Sequence, residues 1–209
     1  MLTLAFSSGS EPALNMATSS TAVALRRPLG VLAPGTRTKL LAMRPGDHPE
    51  FFRFPAPEGR SRESSIVLDA QGVFHHAGAR IEHPGMARAF ATWVDVHPDD
   101  GRFVLNNGYD WTYFEVEDVP FFVLGVREQG GLLELFLSDG SESPLDPASL
   151  TLGARGALYT TVKKGKFRAR FSQSAQIGLG PWLSSSENGG ILLEIGGACH
   201  ALRNFGEGS

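Results

Sequence analysis

Short bursts of alternating apolar and polar positions dominate the chain from residue 64 onward. "SSIVLDAQGVFHHAGARI" (64 to 81) reads as short strands turned at Asp69–Gly72 and at Ala77–Gly78. From Pro84 the period lengthens. Met86, Phe90, Trp93 and Val94 fall at i, i+4, i+7 and i+8, which predicts a helical face with Pro84 in the first turn and "HPDDG" (97 to 101) as its end. Alternation resumes in "RFVLNN" and "WTYFEV" about a hairpin-like turn at Gly108–Asp110, then in "VPFFVLGV" and "LLELFLSD" on either side of "REQGG". Beyond a loop at 140 to 149, "GALYTTVKKGKFRARF" predicts two strands about Lys163–Gly165. "SQSAQIGLGPWL" (172 to 183) predicts a second helix that Gly178, Gly180 and Pro181 must shorten or kink.

The two halves follow the same course. Adding 89 to Met86, Phe90, Trp93 and Val94 gives Ala175, Leu179, Trp182 and Leu183, again an apolar i, i+4, i+7, i+8 face, and the same shift carries Gly101 to Gly190 and Gly108 to Gly197. The expected fold is therefore α+β: two related strand-strand-helix-strand-strand units with mostly antiparallel sheets, repeated at a shift of about 89 residues. The expected organisation is a disordered leader or over-extended start at 1 to 45, a first unit at 46 to 139 and a shorter second unit at 140 to 209.

A chain of 209 residues, 42% hydrophobic and 20% charged, can bury a real core. A net charge of −3 argues against a general nucleic-acid binder. The single cysteine, Cys199, excludes an internal disulfide framework and fits a reducing cytoplasm; as a small apolar residue it is expected in the core. No apolar run approaches the roughly 18 residues of a membrane span. Residues 1 to about 45 hold one acid, Glu11, against Arg26, Arg27, Arg37, Lys39 and Arg44, a composition compatible with a targeting segment but read here as a leader. Phe51, Phe52 and Phe54, in the Pro-rich stretch that follows, are expected to anchor it to the folded body.

Three features between residues 72 and 126 resemble the bacterial domain-of-unknown-function 1285 family. They are the G-x-x-I pattern at Gly78–Ile81, the helix from Pro84 followed by Asp99-Asp100-Gly101, and the V-E-D-x-P-F signature at Val116–Phe121. The resemblance implies an α+β fold built from repeated motifs, with no assigned activity and a signalling or sensing role.

Chemistry concentrates in two stretches. In "DWTYFEVEDVPFF" (110 to 122), a strand would put Glu115 and Glu117 on one face, about 7 Å apart, with Asp118 opening the turn before Pro120. Two carboxylates so placed can share a proton or bind a cation, although Asp118 can equally accept backbone N–H bonds in its turn. In "KKGKFRARF", Lys164, Lys166, Arg168 and Arg170 fall on one strand face against Gly165, Phe167, Ala169 and Phe171 on the other, a cationic stripe that acids or an anion should screen. His75 and His76 are adjacent and diverge from a strand, with no second His or Cys pair, so no metal is expected, nor any cofactor. The nucleophile elbow and the phosphate loop are both missing from the sequence.

The reading these features favour is a cytoplasmic bacterial domain that senses a ligand or binds a protein without catalysis. Its candidate ligand residues are Lys164, Lys166, Arg168, Arg170, Asp110, Glu117 and Asp118, and its partner would be a small anionic ligand or an acidic protein surface. The alternative is a metal-dependent or acid/base hydrolase using Glu115, Glu117 and Asp118.

Overall fold

The computed structural model describes residues 45–186 and 189–204. The leader expected at 1 to 45 lies outside the described residues apart from Pro45. The first sheet is built from β1 (Glu63–Leu68), β2 (Phe74–His76), β3 (Ala79–Arg80), β4 (Val94–Val96), β5 (Phe103–Asn106) and β6 (Trp111–Val116), in the order β3-β2-β1-β6-β5-β4. Helix α1 (Pro84–Trp93) crosses from β3 to β4. The hairpin strands pair antiparallel as their turns dictate, and the sheet closes through one parallel ladder, β1 against β6.

The second sheet draws on both halves of the sequence. It holds β7 (Phe121–Gln129), β8 (Leu132–Leu137), β9 (Glu142–Pro144), β10 (Thr151–Leu152), β11 (Leu158–Val162) and β12 (Phe167–Phe171). With β16 (Arg203–Asn204) its order is β16-β10-β11-β12-β7-β8-β9. Here β7 and β12 run parallel, pairing Phe121–Val123 with Ala169–Phe171. The chain crosses from the first sheet to the second at residues 117 to 120, and residues 139 and 140 form the β8–β9 turn inside the second sheet. Helix α2 (Gln173–Leu179) then leads to a small antiparallel sheet of β13 (Leu183–Ser185), β14 (Ile191–Ile195) and β15 (Ala198–Ala201).

The repeat holds residue for residue through its middle. Adding 89 to α1 gives 173 to 182, which is α2 together with the 3-10 turn Gly180–Trp182, and adding 89 to β4 gives 183 to 185, which is β13. The cap repeats as well: His83 Nδ1 accepts from Met86 N–H and Ser172 Oγ accepts from Ala175 N–H, both at 3.2 Å. As the glycines and proline require, α2 stops at Leu179 and the chain tightens into the 3-10 turn. The copies part company afterwards. The second copy keeps a remnant of the first copy's closure, since β16 runs parallel to β10 as β6 does to β1, but its β13–β15 stay a separate sheet and β7 adds a further parallel ladder beside β12.

Two expectations for the first helix change. It ends at Trp93, and "HPDDG" is instead the turn between β4 and β5. Its core-packed residues are Ala87, Phe90, Ala91 and Trp93, Val94 already belonging to β4, while Met86 is 48% exposed. Position 86 lies one residue, some 100° of helical turn, from Ala87.

One continuous core joins the sheets through Leu68, Phe74, Phe114, Phe121, Phe122, Val123, Leu135 and Phe171, with Ala175 and Leu179 of α2 and Leu193 of β14. The opposite face of the first sheet carries a smaller cluster of Phe51, Phe52, Val104 and Trp111. Strand β5 is accordingly buried on both sides, Val104 toward the small cluster and Leu105 toward the main core. Phe51 and Phe52 anchor the segment before β1 as expected, but Phe54 is 62% exposed.

Candidate functional site

A groove of about 500 Å³ runs between the two sheets. One wall comes from the first sheet and its helix: Leu68 at the end of β1, Gln71 and Gly72 of the β1–β2 turn, Phe74 of β2, and Ala87, Arg88 and Ala91 of α1. The other wall is Pro120, Phe122 and Leu124 of β7 with Leu137, Ser138 and Gly140 at the end of β8. Its size falls in the range of small-molecule sites.

The turn that forms one lip is built by a single aspartate. Asp69 Oδ1 accepts from the N–H groups of Gln71 at 2.9 Å and Val73 at 2.8 Å, and Oδ2 lies 2.9 Å from His75 Nε2. Burial pushes the Asp69 carboxyl up, but the Val73 N–H, the His75 ring and the Gln71 N–H outweigh it and hold the group below the usual carboxylate range. Gly72 has a left-handed φ of +84°, and a Cβ there would come within 2.9 Å of the Phe122 ring. The absence of a side chain lets the turn and β7 approach this closely.

The acids of the 110 to 122 stretch do not gather into one cluster. Strand β6 ends at Val116, so Glu117 leaves the face it was expected to share with Glu115, and Glu115 is exposed. Glu117 Oε2 accepts from Ala70 N–H at 3.0 Å. Asp118 Oδ2 accepts from Arg170 Nη1 at 3.2 Å and from Tyr159 O–H at 3.1 Å, and the same Nη1 donates to Ala70 O at 3.1 Å. Burial raises the Tyr159 phenol, and the Asp118 carboxylate raises it further. Glu117, Asp118 and Arg170 thus clamp the β1–β2 turn, the inter-sheet crossing and β12 to one another beside the groove. Asp110 lies elsewhere, bonded through Oδ1 to Arg62 Nη1 at 2.5 Å and to Trp111 N–H at 2.9 Å. Among the described residues no group of three His, Cys, Asp or Glu is placed to hold a metal ion.

The cationic stripe is shorter than its alternation predicts. Strand β12 begins only at Phe167, and Lys163 and Lys164 adopt left-handed φ of 54° and 60° with Gly165 at 81°, so Lys164 stands in the turn and off the strand face. Phe167, Ala169 and Phe171 are buried as expected. The outward cations are held by the protein. Lys166 Nζ pairs with Asp95 of β4 at 2.6 Å, Arg168 lies 5.2 Å from the Tyr159 ring centroid, and Arg170 joins Asp118. Lys163 turns inward to Asp139 at 2.6 Å, a pair whose acid keeps 10% of its side-chain surface.

His75 is half-buried against Asp69 and His76 is exposed, the division that strand alternation predicts. Cys199 corrects its expectation: it is exposed on β15 rather than in the core. Among the described residues that strand pairs with β14 alone, so its outer side faces no third strand of the small sheet. A smaller cavity of about 270 Å³ beside it is lined by Glu128, Trp182, Glu194 and Cys199 among others.

Sequence reasoning missed the groove and Arg88 in it. One signal was present: Ala87 and Ala91 are spaced i, i+4 on the helix, and two such small side chains leave room beneath a helix where larger ones would fill it.

No family model matches the sequence, and a search of curated proteins finds no significant relative. Solved structures do resemble it. A DUF1285 family protein from Silicibacter pomeroyi DSS-3 superimposes with a TM-score of 0.54 at 19% identity, covering 73% of this chain and 92% of that one. A second, from Shewanella baltica OS155, has a TM-score of 0.44 at 18% identity over 54% of this chain and 87% of that one. With its repeated strand-helix-strand units and the Silicibacter structure spanned almost end to end, this chain has a DUF1285-like fold.

Proposed function

We propose that the protein is a non-enzymatic ligand-sensing domain whose ligand is a small molecule held in the groove between the two sheets. The observation that carries this reading is the construction of the groove, with one wall from each sheet, so that an occupant touches both at once. A ligand that bridges two packed bodies favours one arrangement of them over others, which is the physical basis of sensing.

The neighbouring charges support binding over hydrolysis. Glu117 and Asp118 are engaged by Ala70, Arg170 and Tyr159, a positioning role for the wall of the groove. One cysteine needs no oxidising compartment, which supports a cytoplasmic setting in a bacterium.

Native mass spectrometry of the full chain, purified gently from a bacterial host, tests the reading. The expected result is a stoichiometric mass excess that disappears on denaturation and is absent from Leu124→Glu, a change at an exposed groove residue that leaves the core intact. A bare chain mass, or an excess that persists in Leu124→Glu, overturns it.

A further inference from the structure

Resting on the groove reading, we infer that the ligand is an amphipathic monoanion, a carboxylate on an aliphatic body, with Arg88 as its charged anchor. The groove carries a single formal charge. Its thirteen lining residues include the apolar side chains of Leu68, Phe74, Phe122, Leu124 and Leu137, and the one ionisable group among them is the Arg88 guanidinium.

Arg88 differs from the other cations near the junction. Arg170, Lys166 and Lys163 each bond to an acid, whereas no ion pair or hydrogen bond from the Arg88 side chain is found among the described residues. Its helical neighbours at i−4 and i+4 are Pro84 and Thr92, so no acid on α1 neutralises it. The acids in the two turns that form the groove lips are committed as well: Asp69 to its own turn and His75, Asp139 to Lys163. An uncompensated cation at an apolar groove favours a ligand that brings one negative charge and an apolar body. One guanidinium matches a carboxylate through paired N–H donors, while a dianionic phosphate would ask for a second cation. The apolar walls supply affinity and Arg88 supplies orientation and selectivity.

Isothermal titration of the full chain with decanoate and with decanol tests the inference, because the two probes share a chain and differ in charge. The expected result is one decanoate bound per chain, decanol at least tenfold weaker, and Arg88→Gln removing that tenfold preference while leaving decanol unchanged. Arg88 is exposed, so the variant keeps its fold. Equal binding of the two probes, or a preference that survives Arg88→Gln, overturns the anionic class and leaves the groove reading standing. No binding of either probe by a chain that still shows its Leu124-dependent mass excess also overturns the class alone. No binding together with a bare native mass overturns both.

Discussion

Gly72 and Phe122 meet where the β1–β2 turn packs on β7, and a methyl group on the glycine would sit 2.9 Å from the aromatic ring. The backbone at Gly72 is also left-handed, at +84°. Gly72→Ala combines a φ that L-residues resist with an overpacked contact against a buried ring, and should lower stability by about 2–4 kcal/mol. Urea denaturation followed by tryptophan fluorescence measures it, and a loss under about 0.5 kcal/mol would show that the turn relaxes away from β7.

The Arg170–Asp118 pair joins β12 to the crossing between the sheets, with a third and a quarter of the two side chains exposed (33% and 24%). A double-mutant cycle through Asp118→Asn and Arg170→Gln should return a coupling of about 1 kcal/mol, diminishing in high salt. Additive effects would mean that each side chain acts through its other partners, Tyr159 and Ala70.

Burial raises the Asp139 carboxyl, but Lys163 and Ser141 outweigh it and hold the group below the ordinary carboxylate range. A carboxyl depressed in the folded chain stabilises it above the unfolded value of about 3.9 and loses that contribution as pH falls through the folded value. Asp139→Asn should therefore cost about 2 kcal/mol at pH 7, with the gap to the parent constant down to about pH 5 and closing below about pH 4. Denaturation midpoints across that range give the answer, and a gap that widens on acidification refutes the assignment.

Ser172 caps α2 through Ala175 N–H, so Ser172→Ala should destabilise by about 1 kcal/mol while Ser172→Asp retains most of the stability. Equal losses from the two substitutions in thermal unfolding would show that packing of Ala175 and Leu179, rather than the cap, sets the start of this helix.

The repeat was legible because it rests on local chemistry: a cap, an apolar face and a strand, each readable within a dozen residues. The helix faces were harder to orient, since Val94 already belongs to β4 and the search for partners at helical spacing admits Met86 in place of Ala87. The cationic stripe failed at its N-terminal end for a related reason. Alternation continues on paper through Lys164, whereas the backbone there has entered a left-handed turn. The groove was beyond reach because its walls meet through the parallel ladder β1/β6, which sets β1 beside the strand that runs on into β7; like β7/β12, such a ladder links residues far apart in sequence and leaves no short-range pattern.

Those ladders also impose an order on synthesis. Strand β7 finds β8 within a few residues, but its other neighbour, β12, lies 48 positions further on, from Phe121 to Ala169. A ribosome extending the chain at about 5–20 residues per second delivers that neighbour seconds later. During this interval one edge of β7, carrying Phe121, Phe122 and Val123, has no strand to pair with. Chaperones that recognise extended apolar segments have that window in which to engage the nascent chain, and aggregation competes for the same edge.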